Sequence, residues 1–300
     1  MKRIFCLMLA MLLVSLPACS KQEKEVNAAV PIAAGFGHTL AVKNDNTVLA
    51  VGFDNDGQRS VDRWTDIIAV SGGAYHSVGL KKDGTAVAAG ANAAGQCEVS
   101  QWTGIKQLSA GYYHTTALTE DGKVKVACTD DYHGVKAAEG WTDMVYVTSG
   151  YYHNVGITAQ GTVVAVGYND MGQCEVSQWT DIVQVRAAFG HTVGRKADGS
   201  FVAVGDNKSG QCDVQDWGSE IVDFSAASNH TVGLRADGTV VVAGSGEYSQ
   251  SDVDDWTEIV AIAAGDSHLL GLKKDGTLLA VGDNSYGQCD IEPWKDLMVQ

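Results

Sequence analysis

The sequence predicts an all-β protein, a seven-bladed β-propeller with about three main antiparallel strands in each blade. Three observations carry this expectation. Histidines recur at 38, 76, 114, 153, 191, 230 and 268 and tryptophans at 64, 102, 141, 179, 217, 256 and 294, so both ladders step by 38 or 39 residues. Asp-Gly pairs recur between short apolar runs, at Asp83-Gly84, Asp121-Gly122, Asp198-Gly199, Asp237-Gly238 and Asp275-Gly276, with Asp45-Asn46 in the first copy. Glycine is abundant at 35 residues and proline scarce at 3, in a chain that is 45% hydrophobic and 19% charged. That is the composition of a large folded unit with many tight turns. A sheet repeat of this length cannot bury both faces alone, so consecutive copies stack radially around an axis.

Taken in chain order, Lys2 and Arg3 precede the apolar run Ile4 to Leu16. That run is shorter than the roughly 20 residues of a membrane-spanning helix, and it reads as the core of a signal peptide over 1–18. The junction "LPAC", Leu16 to Cys19, resembles the lipobox of bacterial lipoproteins. The resemblance implies that Cys19 carries lipid as the first mature residue. Ordinary secretory cleavage is the alternative, since Pro17 is not the commonest residue at its place. Residues 19–29 then form a lipidated cysteine and flexible tether, and 30–300 the propeller.

Within a copy, "DIIAVSGG" (66–73) reads as a first strand and "HSVGLKK" (76–82) as a second. A type I′ Asp-Gly turn then leads to "TAVAAG" (85–90) as a third. The loop "ANAAGQCEVSQW" leaves room for only a short fourth strand, and no copy shows helical periodicity. Small residues crowd the first strand, which places it innermost. At the end of the chain, "WKDLMVQ" restarts the inner-strand pattern over Leu297 to Gln300. This C-terminal segment must lie next to the first strand of blade 1 or stop short of it.

The formal net charge of −15 excludes a nucleic-acid backbone as partner, because such binding needs a basic face. Nothing in the sequence implies a cofactor, and a monomer is expected. The repeated "GxxHTxxLxxDGTVxAxGxNxxGQ" with "WT(D/E)IV" resembles the regulator-of-chromosome-condensation repeat over about 270 of the 300 residues. Its short period is similar to that of bacterial members, among them the secreted propeller-type beta-lactamase inhibitory protein. The resemblance implies a propeller that binds protein without catalysis of its own. Spacing that never leaves 38 or 39 residues shows no inserted wedge of the kind the nuclear namesake uses for nucleotide exchange.

A residue present once per copy at one register serves the ring rather than a catalytic centre. The seven histidines are therefore expected to hydrogen-bond backbone near the second strand, and the tryptophans to pack between blades. No metal site is expected, because related histidines on separate blades stand too far apart for one zinc ion. Cys97, Cys174, Cys212 and Cys289 share one slot after Gly-Gln and read as small buried hydrophobes without disulfides. Residues 54, 92, 130, 169, 207 and 284 read as Asx-turn positions, with weak calcium binding as an alternative use of carboxylates such as Asp54 and Asp56.

Function should sit where the copies differ. The two residues before each histidine form a tip, and aromatics fill that tip in five consecutive copies. Phe36, Tyr75, Tyr112, Tyr113, Tyr151, Tyr152 and Phe189 are the candidate binding residues, expected to be largely exposed on one side of the disc. Such side chains dominate protein interfaces and also stack on sugars. The partner is thus a protein or, alternatively, a cell-envelope glycan bound by a carbohydrate-binding or carbohydrate-active protein. No catalytic residue stands out.

Overall fold

The computed structural model describes residues 31–245 and 251–299. The expected signal peptide 1–18 and the expected tether 19–29 with Cys19 lie outside the described residues. Seven three-stranded antiparallel sheets follow one another along the chain, each in sequential strand order. Blade 1 holds β1 (Ile32–Ala34), β2 (His38–Val42) and β3 (Val48–Gly52). Blade 2 holds β4 (Ile67–Gly72), β5 (His76–Lys81) and β6 (Ala86–Gly90), and the other five repeat the plan. The first strands are innermost. Ala34, Gly72, Ala110, Ser149, Ala187, Ala226 and Ala264, one from each blade, line the axis, where only small side chains fit so close a convergence.

Two local expectations need correction. The Asp-Gly hairpin is not type I′, because only Gly84 is left-handed, at φ 76°. Gly84 N–H bonds the Lys81 carbonyl at 3.0 Å and Lys81 N–H bonds that of Thr85 at 2.9 Å, which is a type I turn closed by a glycine bulge. Asp83 fixes it by accepting from the Thr85 N–H at 3.0 Å and the Thr85 hydroxyl at 2.6 Å. The second correction concerns helix: blade 3 contains a 3-10 segment, Tyr132–Gly140, where its loop has lost the "GQC" sequence. No fourth strand forms among the described residues.

The apolar clusters lie between blades rather than inside them. Trp64 packs with Leu40 and Val48 of blade 1 and with Ile67 and Val70 of blade 2. Its ring lies on Gly79 of β5, where a Cβ would come within 2.9 Å of it. Gly156, Gly194, Gly233 and Gly271 receive Trp141, Trp179, Trp217 and Trp256 in the same way. The inter-blade role expected of the tryptophans is thus observed, and it explains the glycine in the middle of most second strands.

The histidines are buried, as architecture requires, but their partners are not backbone. His76 Nε2 lies 2.8 Å from Thr115 Oγ1 of the next blade, whose hydroxyl donates to the Gln96 carbonyl at 2.8 Å. His38 uses Ser77, His153 uses Thr192, His191 uses Thr231, and His268 closes the ring onto Thr39 at 2.9 Å. Between blades 3 and 4, Asn154 accepts from His114 at 2.9 Å and donates to the Val135 carbonyl at 3.1 Å, so one amide performs both tasks. Blade 7 has Leu269 in this slot, and both ring nitrogens of His230 lack a partner.

The shared-slot cysteines form no disulfides among the described residues. Cys212 is buried as expected, but Cys97, Cys174 and Cys289 are only half-buried, each with its thiol directed at a strand-end carbonyl 3.2–3.4 Å away. The Asx positions also differ from expectation. Asn92 Oδ1 accepts from the Cys97 N–H at 2.9 Å, five residues on, and so spans a whole loop instead of a two-residue Asx-turn. In blade 3 the residue with this role is Asp131, not Asp130, bonded to Lys136 N–H at 2.8 Å.

Ring closure uses both ends of the chain. Leu297 pairs with Lys43 at the end of β2, and Met298 N–H bonds the Val42 carbonyl at 2.9 Å. Ile32 takes up the pairing with Ala41. The C-terminal segment stops short of β1 and supplies the start of the same inner strand, the slot Ile67 fills in blade 2 opposite Lys81.

Candidate functional site

Each tip is a two-residue loop between the first and second strands, drawn tight by a bond such as Gly73 N–H to the His76 carbonyl at 2.9 Å. A glycine is required before the tip in blade 2, because a Cβ on Gly73 would stand 2.5 Å from the His76 ring and from the Gly111 carbonyl. Neighbouring tips are bonded to each other: Phe36 N–H reaches the Gly73 carbonyl at 3.2 Å and Tyr151 N–H that of Ala188 at 3.2 Å. The buried histidines thus support a rigid rim.

The tips of blades 1 to 5 bring the seven candidate aromatics together. Phe36 and Tyr75 have ring centroids 5.9 Å apart, Tyr75 and Tyr112 5.3 Å, Tyr112 and Tyr151 5.1 Å, and Tyr151 and Phe189 5.2 Å. Tyr113 and Tyr152 adjoin Tyr112 at 4.4 and 5.2 Å. All seven are half-buried rather than largely exposed, because each ring covers part of its neighbour. Edge-to-face contacts, as between Tyr75 and Tyr112 and between Tyr151 and Phe189, and tilted ones, as between Phe36 and Tyr75, orient the rings against one another.

Four further groups extend the patch and were not among the expected site residues. Phe53 reaches Tyr75 at 6.2 Å and Tyr286 at 4.9 Å, while His133 stands 5.2 Å from Tyr152 and 4.9 Å from Tyr168. Tyr286 is 50% exposed. Phe53 and Tyr168 occupy the slot just after the third strand, which varies between copies as the tip does. That variation is the signal from which they are recoverable.

The hydroxyls are mutually engaged. Tyr75 and Tyr112 share a hydrogen bond at 3.0 Å, and burial with this bond pushes the Tyr112 phenol well above its ordinary range. Tyr151 donates to Asp266 Oδ1 of blade 7 at 2.6 Å. Burial raises the pKa of both groups. At the tip end of the axis the inner strands surround a cavity of about 80 Å³ beside Asp266, and they line another of about 170 Å³ where Arg186 pairs with Asp223 at 3.1 Å and donates to the Tyr146 hydroxyl. Among the described residues no group of three or more His, Cys, Asp or Glu side chains is placed to hold a metal ion.

The sequence matches the Regulator of chromosome condensation (RCC1) repeat in five places, at residues 31–58, 67–96, 105–128, 144–173 and 259–288. Blades 5 and 6 fall outside these matches yet form the same three-stranded sheets. No curated protein matches the chain. Among solved structures, the ectodomain of the receptor kinase CR4 from Physcomitrella patens is similar with a TM-score of 0.70 at 18% identity, over 84% of this chain and 72% of that one. The CRINKLY WD40 ectodomain of the Arabidopsis thaliana receptor kinase ACR4 has a TM-score of 0.67 at 16% identity, covering 85% and 95%. Yeast RCC1 (Prp20), solved bound to Kap60, has a TM-score of 0.63 at 16% identity, covering 77% and 73%.

Proposed function

Because this chain is a protein of RCC1 repeats, we propose that it is an exported, membrane-anchored, non-catalytic module that presents the tip face of its propeller to a protein partner. The observation that carries the reading is the continuous aromatic patch over the tips of blades 1 to 5, widened by Phe53, Tyr168 and Tyr286. Half-buried tyrosines on a rigid rim lose little side-chain freedom on binding, which is why such residues dominate interface energetics. Yeast RCC1, which shares the fold, has been solved bound to the protein Kap60.

Two further arguments support the parts of the proposal. Pro31, where the described chain begins, bonds Val42 N–H at the hairpin end of blade 1, away from the tip at Phe36 and Gly37. An anchor joined at that point would meet the ring on the side opposite the aromatic face. Against an enzyme, six of the seven repeated histidines are occupied in blade-to-blade bonding and His230 is buried. The two axial cavities carry one carboxylate each, Asp266 and Asp223, whereas glycoside hydrolysis uses a facing pair.

The test is affinity capture from the parent cell envelope with the intact protein and with a Tyr113→Ala/Tyr152→Ala variant. The double variant is expected to weaken binding of a captured protein by about 2 kcal/mol or more while the thermal melt moves little. Equal capture by both proteins refutes the aromatic face as the site.

A further inference from the structure

The tip face has an acidic centre. Asp266 of blade 7 and Tyr151 of blade 4 meet over the mouth of the axial channel, although 115 residues separate them in sequence. The Asp266 carboxylate takes the Tyr151 hydroxyl at 2.6 Å and also a hydrogen bond from Ser228. It takes part in none of the ion pairs of the described residues. It is half-buried, and burial raises its pKa, as expected of a charge held by neutral donors alone. The cavity below it measures about 80 Å³ and is lined by Phe36, Ala74, Tyr151 and the glycine and alanine ends of the inner strands. A water molecule takes about 30 Å³, so the space suits one small polar head group.

The chemistry of the mouth has one sign. The carboxylate supplies a negative charge, and the electron-rich aromatic side chains of Phe36 and Tyr151 line the cavity beside it. The axial cation, Arg186, lies in the other cavity and is paired there with Asp223. One carboxylate between aromatic rings, without a cluster of further ligands, suits an organic cation better than a metal ion.

We propose that the channel mouth is a socket for a cationic side chain, a lysine or arginine that the protein partner inserts between Phe36 and Tyr151 to pair with Asp266. The proposal rests on the partner-face reading above. It adds the chemical class of the anchor residue and its place at the centre of the patch. A basic anchor also complements a chain whose formal net charge is −15.

The experiment titrates the purified propeller with Nα-acetyl-lysine amide and with Nα-acetyl-arginine amide, using Nα-acetyl-norleucine amide as the neutral control. The readout is the NMR shifts of the Phe36 and Tyr151 rings. Saturable shifts are expected with at least one cation and none with norleucine, and Asp266→Asn should lower the affinity at least about tenfold with the thermal melt preserved. Equal shifts with all three probes, shifts with none, or indifference to Asp266→Asn each overturn the socket. Should Asp266→Asn fail to fold, Tyr151→Phe keeps the ring and frees the carboxylate, so cation binding must persist; its loss overturns the proposal. Partner capture separates the two readings: capture that needs Tyr113 and Tyr152 but not Asp266 refutes the socket and leaves the aromatic face standing. Failure of all capture refutes that face, and the cation titration then decides the socket by itself.

Discussion

Thr115 decides the tautomer of His76. Its hydroxyl hydrogen is committed to the Gln96 carbonyl, so the imidazole must donate from Nε2, and Nδ1 is left as a bare buried acceptor. Protonation would put a charge and an unpaired N–H in a dry site, and burial accordingly holds the pKa of His76 near 3 and that of His38 near 4. All seven ladder histidines are depressed to about 3 or 4 from an ordinary value near 6.5. The unfolded chain therefore takes up these protons first. Stability should be full above pH 6.5 and fall as the pH drops below it toward the folded values near 3 to 4. Urea midpoints from pH 7.5 to 5 measure this, and a flat profile would contradict the burial of neutral rings. His230 offers a sharper contrast, since neither of its nitrogens has a partner. His230→Leu should be neutral or stabilising by up to about 1 kcal/mol. His76→Leu, which strips Thr115 of its donor, should cost about 2 kcal/mol. Equal losses in the two variants would show that hydrogen bonding is not the difference.

At the scale of elements, the inner strand of blade 1 is composite. Leu297 and Ile32 come from opposite ends of the chain and occupy successive positions along one strand. Leu297 is 1% exposed and packs with Ile32, Ala41, Leu272 and Leu278, so it joins blade 7 to blade 1. Leu297→Ala should cost about 2–4 kcal/mol, as large-to-small changes at buried leucines do, and removing residues 294–300 should cost more because the Trp294 ring goes too. An unaltered melting curve after truncation would mean that the ring closes without this segment. The strand order, the hairpins and the innermost position of the small-residue strand were legible in one repeat, because each depends on neighbours within about a dozen residues. The turn type was not, since type I′ and the bulged turn both place Gly84 in a left-handed conformation and differ only at Asp83.

At the scale of the whole molecule, every apolar cluster is a seam, as Tyr146 and Val155 of blade 4 with Val185 of blade 5 illustrate. No blade buries its core alone, so the ring behaves as one body with two unlike faces. The tips carry aromatics and the opposite face carries hairpins and the start of the described chain. If Cys19 bears lipid, the chain is held at a membrane from its N-terminal side. Cys19→Ala should then release the protein into the soluble fraction or leave the precursor uncleaved, read by fractionation and intact mass. A variant that stays membrane-bound with normal processing would refute the anchor.

The sequence by itself determined the repeat, the seven blades, the structural role of histidine and tryptophan, and the arc of variable aromatic tips. All of these follow from periodicity, because equivalent residues meet equivalent surroundings and what breaks the period stands out. Only the tertiary structure decided who partners whom across the period. It set a threonine of the next blade opposite four of the histidines, a serine opposite His38 and an asparagine opposite His114, half-buried the tyrosines against one another, and left His230 facing Leu269 with nothing to bond. It also brought Tyr151 onto Asp266 over the axis. The contacts of the histidines and of Tyr151 with Asp266 join positions 39, 40, 115 or 229 residues apart, and their geometry is fixed by the closure of the ring, which no single repeat encodes.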